Sequence, residues 1–150
     1  MKLKHENVVE CFDAIKDKSN YFLILEYCPH GSLEEFIQRK KKLGLNDACE
    51  IMDQIACGYR YLVGNNIVHR DIKPANILKV DNRWKLADFG FAVRKCLSFI
   101  SHLNVGTPSY MPIEALVKSE YSFKSDIFAL GVTFYQMIHG ELPWICRSED

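Results

Sequence analysis

No charge of one sign is in excess: 19 Lys and Arg face 19 Asp and Glu, a formal net charge of zero. That balance removes the electrostatic basis for non-specific binding to nucleic acid or to an anionic membrane. Cys-x-x-Cys pairs are missing, although there are six cysteines, at 11, 28, 49, 57, 96 and 146. The scatter excludes the usual zinc ligand spacing and suits reduced thiols in a cytoplasmic protein better than a disulfide frame. The longest apolar-rich run, Phe128–Ile138, contains Gln136 and is too short to cross a bilayer. The first residues, Met-Lys-Leu-Lys-His-Glu-Asn, carry no apolar signal core. No internal repeat or low-complexity tract occurs, and 150 residues with 48% apolar composition suffice for one domain with a core.

What is present reads as strands first and helices later, an α+β class. Val8–Ala14 and Tyr21–Tyr27 read as two strands around the polar turn at 16–20. The second is nearly continuously apolar, the pattern of a buried strand. Pro29-His30-Gly31 breaks it, and Ser32-Leu-Glu-Glu35 has capping-box spacing for a short helix to about Lys41. Asp47-Ala-Cys-Glu50 has the same spacing and predicts the start of a long helix. Its apolar positions Ala48, Ile51, Met52, Ile55, Tyr59 and Leu62 keep helical period to an end near Gly64-Asn65-Asn66. Short strands are expected at 67–68, 77–80 and 84–86, a long loop at 91–112, and a helical turn at 114–118. Ser125–Gly140, apolar almost all round, predicts a helix buried in the domain centre.

Chemistry concentrates in residues 67–90. His69, Arg70, Asp71, Lys73, Asn76 and Asp88 lie between short apolar runs, the arrangement of a site presented by a rigid scaffold. Each piece has an ordinary reading: Asp-Phe-Gly is a common turn, and His-Arg-Asp a surface charge pair. Their order and spacing, with Asp88 17 residues after Asp71, make chance a poor account. His69-Arg-Asp-Ile-Lys-Pro-Ala-Asn76 resembles the catalytic loop of eukaryotic protein kinases, and Asp88-Phe-Gly90 their metal-binding motif. Gly106-Thr-Pro-Ser-Tyr-Met111 is similar to the segment that receives the substrate peptide in the serine/threonine type. Asp88-Phe-Gly-Phe-Ala92 and Ser125-Asp-Ile-Phe-Ala-Leu-Gly131 are most similar to the autophagy-initiating kinases, with calcium/calmodulin-dependent kinases a near alternative.

The resemblance implies ATP and Mg²⁺ as cofactors and protein Ser/Thr hydroxyls as substrates. It makes Asp71 the group that orients the attacking hydroxyl and accepts its proton, and Lys73 the contact to the transferring phosphate. Asn76 and Asp88 become the Mg²⁺ ligands, as suits a hard ion that prefers oxygen. It places adenine against backbone groups of Glu26 and Cys28, with Leu25 guarding the pocket behind and Leu78 under the purine. Ser32 would cap its helix and face the ribose, and His69, Phe89 and Cys11 would stack between two lobes. Asp126 would accept backbone hydrogen bonds from the catalytic loop; a plain helix cap is its other reading. Arg70 would pair with a phosphate on the following loop, where Ser98 and Ser101 precede Gly106 and Leu103 replaces the usual threonine.

The implied fold is a partial bilobal one: 1–25 as small-lobe remnant, 26–31 as hinge, 32–150 as part of the large lobe. Neither a Gly-x-Gly-x-x-Gly loop nor a Val-Ala-Ile-Lys strand occurs, and family length would place both before Met1. The 150 residues alone are therefore expected to have negligible activity. A non-catalytic kinase-like fragment acting as a binding or dominant-negative module is the alternative. Glu114 stands where the family's buried glutamate pairs with an arginine that would fall past Asp150, so its burial is expected to be costly.

Overall fold

The computed structural model describes residues 3–94 and 105–144. Ser98, Ser101 and Leu103 lie outside them. Strands β1 (Cys11–Lys16) and β2 (Tyr21–Leu25) pair antiparallel, Cys11 opposite Leu25 and Lys16 opposite Tyr21. Helices α1 (Leu33–Lys40) and α2 (Leu45–Gly64) follow. Next come β3 (Ile67–Val68), a 3₁₀ turn at Pro74–Asn76, and the hairpin β4 (Ile77–Val80) and β5 (Arg83–Leu86). Strand β6 (Val93–Arg94) pairs back onto β3, and helices α3 (Ile113–Lys118) and α4 (Phe123–His139) complete the described chain.

Local signals explain most of these limits. Ser32 accepts the Glu35 N–H at 3.2 Å while the Glu35 carboxylate accepts the Ser32 N–H at 3.1 Å, the reciprocal cap its spacing predicts. The second predicted box does not form. Helix α2 starts at Leu45 with Gly44 as its N-cap, which puts Asp47 inside the first turn. There its charge still complements the helix dipole. Helix α4 starts two residues before the predicted Ser125 because Ser122 caps it: its hydroxyl accepts the Lys124 N–H, and the Ser125 hydroxyl accepts the Ser122 N–H.

The core is the inner face of α2, with Ile55 and Leu62 fully buried, packed with Leu33, Ile77, Leu86 and Met137. Two apolar predictions fail at the surface. The β2 residues Tyr21 to Leu25 are 45–73% exposed rather than buried. The strand has only β1 beside it, and among the described residues neither face of that two-stranded sheet is covered. Helix α4 is likewise buried on one side only: Ala129, Val132, Thr133 and Met137 face inward, while Ile127, Phe128 and Tyr135 are open. Glu114 is half-buried rather than enclosed, so water still reaches it and the full cost of an unpaired buried charge does not apply.

The segment before β1 is held by a close backbone approach. The Asn7 carbonyl accepts the Leu86 N–H at 2.9 Å, and the Val9 N–H donates to the Leu86 carbonyl at 2.8 Å. Gly58 of α2 lies against it: a Cβ there would stand 2.4 Å from the Asn7 oxygen.

Helix α4 also anchors the loop after β3. Its buried Asp126 carboxylate accepts the His69 N–H at 2.8 Å and the Arg70 N–H at 2.9 Å. This is not the helix cap, a role that Ser122 fills. Burial outweighs these bonds and pushes the Asp126 carboxyl up to about 6 from 3.8. Burial also holds the His69 imidazole below its usual range, so it is neutral. The ring donates from Nε2 to the Ala87 carbonyl at 3.0 Å and accepts the Asp71 N–H at Nδ1.

Two outcomes follow from this packing. Gly58→Ala should destabilise by on the order of 1–3 kcal/mol in urea unfolding, although Ala is the better helix former by about 1 kcal/mol, because the Asn7 backbone must move. A raised urea midpoint would show that the segment yields freely. For Asp126, the native chain keeps a proton that the unfolded chain loses from about pH 4 upward, so its contribution to stability declines as pH rises to about 6. His69 works oppositely: the unfolded chain gains a proton as pH falls below 6.5, the native chain resists, and stability is lost. Asp126→Asn removes only the first contribution. Its urea midpoint should climb more steeply from about pH 4 to about pH 6 than that of the parent, and parallel curves would refute the assignment.

Candidate active site

The loop between β3 and the 3₁₀ turn carries His69, Arg70, Asp71 and Lys73. Arg70 has φ +70°, a conformation non-glycine residues avoid at a cost of about 1–3 kcal/mol. Asp126 sustains it by holding the adjacent N–H groups. The turn directs the Asp71 backbone N–H to the His69 ring at 3.3 Å and leaves the Asp71 side chain among polar groups.

Asp71 is buried and is the hub of the site. Its Oδ1 accepts the Thr107 hydroxyl at 2.7 Å, and its Oδ2 accepts the Asn76 amide at 2.8 Å. Lys73 Nζ is 3.0 Å from Oδ2 and donates to Thr107 Oγ1 at 2.6 Å. Burial alone would raise the Asp71 pKa. The Thr107, Lys73 and Asn76 hydrogen bonds and the Lys73 charge outweigh it and hold the carboxyl below its usual range. Asp71 is therefore ionised at neutral pH.

Asn76 links this hub to a cleft of about 540 Å³. Leu25, Glu26, Leu78, Asn76 and Asp88 all line it, with Val9, Cys11, Ala87 and Phe89. Five of the eight residues assigned from the sequence to catalysis, the metal and adenine thus share one concavity, while Asp71 and Lys73 stand beside it, joined through Asn76. Cys28 does not line the cleft. Its thiol donates to the Glu26 carbonyl at 3.7 Å, and burial pushes its pKa up. Among the described residues the Cys28 backbone enters no backbone hydrogen bond. His69 and Phe89 rings meet at 5.0 Å, and Cys11 lines the same cleft as Phe89.

The donor set suits Mg²⁺. Both Asn76 hydrogen bonds to Asp71 use the amide nitrogen, which leaves the amide oxygen for a cation. Asp88, exposed and at φ +57°, spends Oδ1 on the Gly90 N–H at 3.1 Å. Among the described residues no three His, Cys, Asp or Glu side chains cluster as a metal site. Two hard protein oxygens, with phosphate and water completing the shell, is the way Mg²⁺ is usually held.

Two participants escaped the sequence reading. Thr107 was visible only as part of a substrate-segment motif, yet its hydroxyl bridges Asp71 and Lys73. Lys85 pairs with Glu26 at 2.6 Å, and the Glu26 carboxylate also accepts the Glu10 N–H. The only signal for Lys85 was a polar residue between two apolar ones in β5.

Comparison with known proteins agrees with this site. The protein kinase domain model matches residues 1–150. The chain is 34% identical to the serine/threonine-protein kinase ATG1c of Arabidopsis thaliana over 99% of its own length and 21% of that relative. It is 32% identical to the human serine/threonine-protein kinase ULK1 over 98% of the chain and 15% of the relative. It is 36% identical to an Aurora kinase of Yarrowia lipolytica over 95% of the chain and 38% of the relative. The chain thus spans between 15% and 38% of the length of these relatives. The polar hub, the adjoining cleft and the full-length match agree: this chain belongs to the protein kinase domain family.

Proposed function

We propose that this site transfers the γ-phosphoryl group of ATP to Ser or Thr hydroxyls of proteins. The observation that carries the reading is the Asp71 hub. A threonine hydroxyl already sits 2.7 Å from the Asp71 carboxylate and 2.6 Å from the Lys73 ammonium. A substrate hydroxyl making the same contacts would be oriented by Asp71, which also takes its proton, while Lys73 meets the phosphoryl oxygens. Asn76 and Asp88 would hold Mg²⁺, which when bound neutralises charge on the nucleotide phosphates. Leu25 and Leu78 supply apolar walls for adenine, and the backbone of Glu26 and Cys28 its hydrogen bonds. In this reading 1–25 belong to a small lobe, 26–31 to a hinge and 32–150 to a large lobe. The free thiols of Cys11, Cys28, Cys49 and Cys57 support a cytoplasmic setting, and no described helix is long and apolar enough to cross a membrane.

These 150 residues contain neither a glycine-rich phosphate loop nor a Val-Ala-Ile-Lys lysine, so phosphorylation by them alone is expected to be negligible. The exposed apolar β2 favours a second reading, a non-catalytic module that binds another protein, with Asp71 and Asp88 as relics.

Two measurements separate the readings. The chain should bind ATP only with Mg²⁺, in calorimetry, and Asp88→Ala should abolish that binding. In the longest form of the protein, Asp88→Ala should lower phosphorylation of a Ser/Thr peptide on the order of a hundredfold or more, as loss of a metal ligand implies. Nucleotide binding indifferent to Mg²⁺ and to Asp88 would sink the kinase reading. Measurable phosphorylation by the 150 residues alone would refute the expectation of inactivity.

A further inference from the structure

Val105, Gly106 and Thr107 lie in no helix or strand, yet Thr107 must arrive within 2.7 Å of Asp71. The Thr107 carbonyl accepts the Tyr110 N–H at 2.9 Å, which holds one end of this stretch; the Val105 end is held by a side chain. Tyr121, in the turn between α3 and α4, is 2% exposed. Its hydroxyl accepts the Val105 N–H at 2.8 Å and donates to the Val105 carbonyl at 2.6 Å. Its ring carries the Arg70 guanidinium, 5.3 Å from the centroid. One side chain thus touches both the residue two before Thr107 and the residue one before Asp71.

Gly106 completes the contact. Its φ is +103°, and a Cβ on it would stand 2.5 Å from the Arg70 carbonyl oxygen. The two backbones therefore lie against each other where Tyr121 meets both. We propose that Tyr121 is a positioning residue for phosphoryl transfer: it clamps Val105 against the Arg70 turn so that Thr107 reaches Asp71 and Lys73. This deepens the kinase reading and rests on it.

Packing alone does not account for the hydroxyl. Tyr121 forms a small apolar cluster with Met111 and Ala115 that a phenylalanine ring would fill equally well. The hydroxyl instead bonds both backbone groups of one residue in an irregular segment. Buried phenols need partners, but that need does not select Val105 over water or another carbonyl.

Tyr121→Phe keeps the ring, the Arg70 contact and the cluster, and removes the two bonds. In the 150-residue chain, hydrogen exchange at the Val105 amide should accelerate tenfold or more, with the α4 amides unchanged. In the longest active form of the protein, kcat for a Ser/Thr peptide should fall about tenfold with the KM for ATP unchanged, because the nucleotide cleft is not touched. The effect should vanish in a Thr107→Val background, since Tyr121 acts through that hydroxyl. An equal loss in both backgrounds would mean a merely structural role and overturn the proposal. Unchanged exchange at Val105 would overturn the clamp while leaving the kinase reading intact. A parent protein without activity would overturn the kinase reading and the catalytic role with it, even if the exchange difference remained.

Discussion

The rest of the site depends on one interaction, the Asp126 carboxylate accepting the backbone N–H groups of His69 and Arg70. A buried carboxylate is costly, and it persists only where fixed donors meet it. Those donors converge because Arg70 takes a left-handed conformation. Neither half is stable alone: the turn would relax without the acceptor, and the acceptor would be orphaned without the turn. The pair joins residues 56 and 57 positions apart and sets the loop after β3 on helix α4.

From that anchor the geometry spreads in two directions. His69 passes it to Ala87 through a neutral imidazole, so the backbone just before Asp88 is tied to the loop that carries Asp71. Asp71 passes it to Asn76, which reaches the cleft. Two buried aspartates, Asp71 and Asp126, carry opposite shifts. Burial outweighs the backbone donors of Asp126 and pushes it up, whereas a hydroxyl, a lysine and an amide outweigh burial at Asp71 and hold it down. Environment, not residue type, sets the two carboxylates apart.

This logic explains what could be read in the sequence. The loop residues were legible because the chemistry fixes their types and spacing within a short segment. Asp126 was legible only through family resemblance, since nothing local distinguishes it from a cap; its partners are far away in the chain. The failures were tertiary in the same sense. Tyr21 to Leu25 carry the composition of a strand covered on both faces, but composition cannot supply the cover. Asp47 and Glu50 had the spacing of a cap, yet the chain enters α2 at Leu45 and Gly44, where no side-chain signal marks the start. The bridging role of Thr107 and any role of Tyr121 were silent because a hydroxyl gains its role from a partner 36 or 16 residues away.

The low pKa of Asp71 bears on how it would act. A carboxylate held below its usual range is a weaker base, which looks unfavourable for removing a hydroxyl proton. In phosphoryl transfer through a loose transition state, however, the attacking oxygen bonds little to phosphorus until the leaving-group bond has largely broken, so its proton is not yet acidic. Early in such a reaction the useful task is orientation, and a carboxylate that stays ionised is always available to accept the hydroxyl. The proton need only move late, when the oxygen has become acidic. The same Lys73 and Thr107 contacts that weaken Asp71 as a base fix its direction. Strength is exchanged for position, and position is what this reaction needs most from the protein.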